Sequence, residues 1–246
     1  TKTYNITVTR KEDSDTSLKS IGVKGYDIVK VDDNNYTLTV ANNVTSVEIE
    51  AKVLSNVASI SGTGVKSLKV GENRFEVIVT TQNGDISIYN VIITRKASSD
   101  ATLKNLTVSS GTLSPTFASG TTSYTLTVPY SVTSLTVTPT VNNSEAKTSV
   151  TGNTSLTVGS NTVSIVVTAG DGTKKTYTIT VTRSKDTTNT LKSLSLSSCT
   201  LSPTFASGTT SYTCTVENSV TSTTVTATAT SSVATVSGTG SKSLSV

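Results

Sequence analysis

Hydrophobic and polar positions alternate along most of this chain. In "KTYTITVTR" (175–183), Tyr177, Ile179 and Val181 share one parity, and Thr176, Thr178, Thr180 and Thr182 share the other. A period of two predicts a β-strand with one dry face. "SYTLTV" (123–128) repeats it with Tyr124, Leu126 and Val128, and "SLTVTP" (134–139) with Leu135 and Val137. "VSIVVTA" (163–169) is denser in apolar residues, as a central strand is. Turn-forming clusters separate these runs: "GTLSP", "SGTT", "NNSE", "VTGNT", "VGSN" and "GDGT". No stretch carries a convincing helical period. About seven strands in roughly 80 residues predict an all-β fold, an immunoglobulin-like β-sandwich.

The pattern recurs. Tyr36, Tyr124 and Tyr212 follow one another at 88-residue steps, as do Val70, Val158 and Val246, and Arg95 and Arg183. "TLSPTFASGTTSYT" stands at 112–125 and again at 200–213. The register divides the chain into residues 1–10, the last strand of a preceding repeat or a donor strand; a first sandwich at 17–96; a second at 102–184; and an incomplete third at 190–246. The third lacks a counterpart of 159–183. The linkers "KEDSDTS", "KASSDAT" and "SKDTTNT" are short and polar, and they predict close neighbours rather than loose tethers. Two accounts of the ends stay open: a window on a longer array, or residues 1–10 completing the third repeat of another copy. The opening "TKTYNITVTR", without an initiator Met or a signal-peptide pattern, suits a mature product or such a window.

The recurring frame is L-x-x-L-x-V, then G-T-L-S-P-x-F, T-x-S-Y-T-x-x-V, V-G-x-N-x-x-x-I-x-V-T-A-x-D-G and Y-x-I-x-V-T-R. It resembles the bacterial cadherin-like β-sandwich domain family, most fully in the second repeat: Gly111–Phe117, Ser123–Val128, Val158–Asn161, Ala169–Gly172 and Tyr177–Arg183. The resemblance implies tandem modules of a secreted or cell-surface protein that serve as spacers, stalks or adhesion scaffolds. The expected function is a non-catalytic structural module of a stalk, fibre or surface layer, joining head to tail by strand donation. The alternative is an adhesin or glycan-binding module. Expected partners are neighbouring repeats, other copies of the chain, and cell-wall or surface polymers.

Composition agrees with several small cores: 34% of residues are hydrophobic, 4% are aromatic, and Trp, Met and His are absent. The net charge of +4 is scattered, with no basic run of the kind that binds nucleic acid. The apolar runs are far too short to span a bilayer, so no membrane insertion is expected. No nucleophile motif is present, and "GTGVKS" (62–67) has no helix after it to make a phosphate loop. No catalytic residue and no cofactor are therefore expected.

A few side chains remain as candidates. Cys199 and Cys214 stand where the second repeat has Gly111 and Leu126. They are expected to form a disulfide closing the repeated phrase; a free core thiol at Cys214 is the other reading. The resemblance raises calcium, which takes six to eight oxygens. The first linker offers Glu12, Asp13 and Asp15, whereas the later linkers offer only Asp100 and only Asp186. "VDDNNY" (31–36) is a second acidic spot, read as a turn. Six of the eight Tyr hold recurring strand positions and are expected in cores, which leaves Tyr26 and Tyr130 as the candidate glycan platform.

Overall fold

A computed structural model describes residues 1–245. Among them there is no helix, and the alternating runs form antiparallel and mixed sheets.

In the first sandwich one sheet has the order β1 (Leu18–Val23), β4 (Ser46–Val53), β6 (Gly64–Ser67). The facing sheet has the order β2 (Val29–Lys30), β3 (Asn35–Val40), β8 (Ile86–Arg95), β7 (Gly71–Thr80), β5 (Ser59–Ser61). In the second sandwich β9 (Leu103–Val108) pairs with β11 (Val137–Val141), against a sheet of β10 (Ser123–Val128), β14 (Lys174–Arg183), β13 (Gly159–Thr168) and β12 (Lys147–Thr151). The expectation of about seven strands per sandwich becomes eight and six. The "SLTVTP" strand starts at Val137, and Leu135 turns inward from the loop before it, 1% exposed.

One pairing defines the closure of both sandwiches. β3 runs parallel to β8, with Val40 opposite Arg95, and β10 runs parallel to β14, with Val128 opposite Arg183. The last strand thus lies between β3 or β10 and its own antiparallel partner. In the second sandwich its inward side chains become the centre of the core: Tyr177, Ile179 and Val181 are fully buried, beside Tyr124, Leu126 and Val128 of the neighbouring strand. Each sandwich has its own apolar cluster, one drawn from Val23 to Ile93 and one from Ala101 to Val181. Two glycines let a turn back onto a neighbouring strand. Gly62 and Gly152 hold positive φ, and a Cβ on either would stand 2.0 or 2.2 Å from the carbonyl oxygen of Glu76 or Thr162.

The third repeat has a single sheet among the described residues, β15 (Leu191–Leu196), β16 (Ser222–Ala229) and β17 (Gly240–Ser243). "SYTCTV" (211–216), expected as a strand, makes only an isolated bridge, Ser202 to Thr213. Its counterparts are held in place by a parallel last strand, and none is paired with it here. Among the described residues no apolar side chain of this repeat is buried. Residues 1–10 form no strand. Tyr4, expected in a core, is instead 82% exposed, as are Ile6 and Val8 at 86%. A lone strand without a sheet has nothing to bury its dry face against.

Candidate functional site

The residues that distinguish this chain chemically gather where one sandwich meets the next. The recurring arginine at the end of each last strand is the first of them. Arg95 donates from Nε to the Asn42 carbonyl at 2.7 Å and from Nη1 to the Leu68 carbonyl at 3.1 Å. Arg183 does the same to Tyr130 and Leu156, each at 2.9 Å. The rigid guanidinium fork therefore ties two loops to the last strand at the base of each sandwich. Tyr130 lies over the Arg183 guanidinium, 4.6 Å from Cζ to the ring centre.

The linkers are docked as well. The Ser55 hydroxyl donates to Asp13. That bond comes first among the causes that hold the Asp13 carboxyl below its usual range, as the Ser231 hydroxyl does for Asp186 at the matching place in the third repeat. Asp100 is held low by the Thr102 hydroxyl and amide and by Asn142, whose Nδ2 donates to it at 2.7 Å. In the middle linker the donor and acceptor roles are exchanged. Ser98 stands at the position of Asp13, and its backbone N–H donates to Oε2 of Glu145, from the loop between β11 and β12, at 3.0 Å.

Glu145 also reaches across the junction. Its other oxygen, Oε1, accepts from Nδ2 of Asn42, in the first sandwich, at 3.0 Å. The same Asn42 amide donates to the Lys96 carbonyl at 3.0 Å. One carboxylate thus joins the first sandwich, the linker and the second sandwich. Asn42 is the largest cause of the lowered Glu145 pKa, followed by the Ser98 amide. Because the folded pKa is depressed, the contribution of this clamp is complete above the ordinary carboxylate range. It is lost as pH falls through the lowered value of Glu145. An NMR titration is therefore expected to show the Asn42 side-chain amide moving with an apparent pKa below that of an ordinary Glu, and not moving in Glu145→Gln; a shift that persists in the variant would refute the link.

The second junction lacks this clamp. Tyr130 stands in place of Asn42, and Val233 in place of Glu145. An open groove of about 680 Å³ lies there, lined by Thr127–Ser131 and Ser184–Thr188.

The structure places the other candidates as follows. The Cys199 and Cys214 sulfurs lie in bonding contact, with the Cα atoms 5.9 Å apart. Glu12, Asp13 and Asp15 do not converge: Asp13 holds Ser55, Asp15 accepts from the Ser17 amide at 2.9 Å, and Glu12 is exposed. Among the described residues no group of three or more His, Cys, Asp or Glu comes together. Asp32 of the "VDDNNY" spot accepts from the Asn34 amide at 2.9 Å and from the Asn35 side chain, which makes a turn. Tyr26 lies in the turn after β1 and Tyr130 in the loop after β10, in different sandwiches, and one face of Tyr130 is taken by Arg183. Nothing in the sequence marks the bridging pair Asn42 and Glu145, which lie 103 residues apart in no shared motif.

Parallel closure, two-sheet layering and a small apolar core in each unit define an immunoglobulin-like β-sandwich module. Solved structures of similar fold include fibronectin(III)-like modules of Clostridium thermocellum CbhA (11% identity, 67% of this chain and 95% of that one, TM-score 0.20). They also include mouse cadherin-23 domains EC22–24 (10% identity, 70% and 68%, TM-score 0.28). Protocadherin gamma B2 domains 3–6 give 11% identity, 71% and 51% coverage, and a TM-score of 0.30. The chain spans about half the length of that fragment. No curated protein matches it. The family model "Cadherin-like beta sandwich domain" matches residues 103–184 and 191–244, more than half of the chain. The chain belongs to that family, whose domains are typically extracellular, non-catalytic adhesion or structural modules. Among the described residues no helix is long and apolar enough to cross a membrane.

Proposed function

We propose that this chain is a spacer of a stalk, fibre or surface layer, with its first two sandwiches held in line at their junction. The observation that supports the reading is the carboxylate of Glu145, shared between Asn42 of one sandwich and Ser98 of the linker. A spacer holds its ends at a fixed separation only if neighbouring modules do not swing freely, and a charge-assisted bond at each arm of one carboxylate opposes that swing. The Arg95 fork fixes the loop that carries Asn42, so the clamp stands on a rigid base. The second junction, with Tyr130 and Val233, is the compliant one.

The test is a pair of spin labels, one on each of the first two sandwiches. Glu145→Ala and Asn42→Ala are expected to broaden the distance distribution between the labels without lowering the melting temperature of either sandwich. A distribution unchanged in both variants would sink the clamp, and with it the rigid-spacer reading.

A further inference from the structure

The first and second sandwiches share an inner face but differ on the outer face of their larger sheet. Val77, Val79, Val91 and Ile93 point inward and fill the first core. On the opposite parity stand Ile78 of β7 and Ile86, Ile88 and Ile92 of β8. Ile78 lies beside Ile88, and Ile92 lies between Arg74 and Thr37, which in turn lies beside Val29 of β2, so these side chains share one face. Ile86 is 62% exposed, Ile88 42% and Val29 63%. The second sandwich has Lys174, Thr176 and Thr180 where the first has Ile86, Ile88 and Ile92. The fold therefore does not require an apolar outer face, and keeping one in water is unfavourable. A contiguous apolar surface on a soluble module marks a contact.

The charges of this face select its partner. All of them stand on β7: Glu72, Arg74 and Glu76. Arg74 already donates from Nε to Oε1 of Glu72 at 2.7 Å. β8 is the middle strand of the five, and its outward residues, including Asn90 and Thr94, are all uncharged. So are Asn35, Thr37 and Thr39 of β3 on one side, and Ser59 and Ser61 of β5 at the far edge. A second copy turned about an axis along β8 lays its β7 over β3 of the first. Glu76 then comes to Asn35, Arg74 to Thr37 and Glu72 to Thr39, and each charge meets an amide or a hydroxyl. A copy with its strands reversed would instead lay β7 over β7, with Glu76 against Glu76 at the centre.

We propose that the outer face of the first sandwich is a lateral contact between two copies of this chain, packed sheet on sheet with their strands running the same way. Ile86, Ile88 and Ile92 of the two middle strands interdigitate along the axis. The contact is isologous, one patch serving both sides. Aligned sheets pack about 10 Å apart and within about 30° of each other. With ten-residue strands of ~33 Å and a spacing of ~4.8 Å, the five strands present on the order of 500 Å² on each copy. Two such faces bury about 1,000 Å², the lower limit for a specific interface, so the dimer is weak and reversible. The contact goes beyond the junction clamp and does not rest on it: the clamp acts within one chain, and this face acts between chains.

Sedimentation velocity of the 246-residue chain over a concentration series tests this. A concentration-dependent dimer is expected. Ile86→Lys combined with Ile88→Thr gives the first sandwich the residues of the second, and it should weaken the dimer by more than about tenfold. Both side chains are exposed in the single chain, so the core is untouched and the melting temperature of the first sandwich should hold. Orientation is read with a spin label at Gln82→Cys, in the turn between β7 and β8. The native cysteines are paired with each other, so each chain carries a single label. Strands running the same way put the two labels of a dimer closer than the ~33 Å strand length, and reversed strands put them further apart than that. A chain that is monomeric at every concentration overturns the proposal. So does association that survives the double variant, and so does the longer label distance. The junction measurement reads two labels within one chain, so the failure of either idea is distinguishable from the failure of the other.

Discussion

Tyr177→Ala is expected to unfold the second sandwich and leave the first folded. The side chain is fully buried at the centre of the core, against Tyr124 and the strands of both sheets. Truncating a buried aromatic to alanine costs about 3–5 kcal/mol, from lost transfer energy and the cavity left behind. A sandwich of this size has about 5–10 kcal/mol in total. The hydroxyl adds a second loss, because the Leu103 amide that donates to it at 3.1 Å is left without a partner where β9 begins. Tyr177→Phe separates the two effects, since it keeps the ring and removes only the hydroxyl, at about 1–3 kcal/mol. Urea unfolding followed by hydrogen exchange, read amide by amide, checks the expectation. Amides of β13 and β14 should lose protection in Tyr177→Ala, and those of β7 and β8 should keep it. Simultaneous loss in both would mean that the two sandwiches fold as one unit and that the separate apolar clusters are not energetically separate. Tyr89 is the matching residue of the first sandwich, with its hydroxyl donating to the Thr16 carbonyl at 3.0 Å. Tyr89→Ala should give the reciprocal result.

The sandwich itself was legible because its information is periodic. Alternation at Tyr177, Ile179 and Val181 gives the face of a strand, and the 88-residue recurrence gives the unit. The junction clamp was not legible, because Asn42 and Glu145 are 103 residues apart and the pair does not recur. The position of Asn42 is Tyr130 in the second repeat and Asn218 in the third, and that of Glu145 is Val57 in the first and Val233 in the third. A contact made once in the array leaves no repeating signal. The recurring Arg95 and Arg183 were visible, but their partners were not, since backbone carbonyls carry no side-chain signature. Two local expectations failed for one reason. "SYTCTV" and residues 1–10 both have strand patterns, yet neither is paired in the structure, because a strand needs a neighbour as well as a pattern.

The second large effect is expected at Cys199 and Cys214. The second repeat shows why this pair is compatible with a covalent bond. A Cβ placed on Gly111 would stand 3.6 Å from the Cβ of Leu126. That lies within the separation a disulfide spans. Gly111 holds a positive φ of 76°, which disfavours a side chain there; Cys199 is not among the positive-φ residues, so the third repeat has relaxed the backbone that carries it. The sulfurs close a loop with a sequence separation of 15. Closing a loop of that length stabilises by about 3 kcal/mol in the chain-entropy account. The effect matters more here than it would in the second repeat, because among the described residues no apolar side chain of the third is buried. The two repeats provide an internal control. Ser202 and Thr213 exchange backbone bonds at 2.8 Å in both directions, and Ser114 and Thr125 do the same without any cysteine nearby. Reduction, or Cys199→Ser with Cys214→Ser, is expected to lower hydrogen-exchange protection at Ser202 and Thr213 by about a hundredfold and to leave Ser114 and Thr125 unchanged. Equal protection before and after reduction would show that the phrase holds itself through Tyr212, whose hydroxyl donates to the Ala206 carbonyl at 2.8 Å.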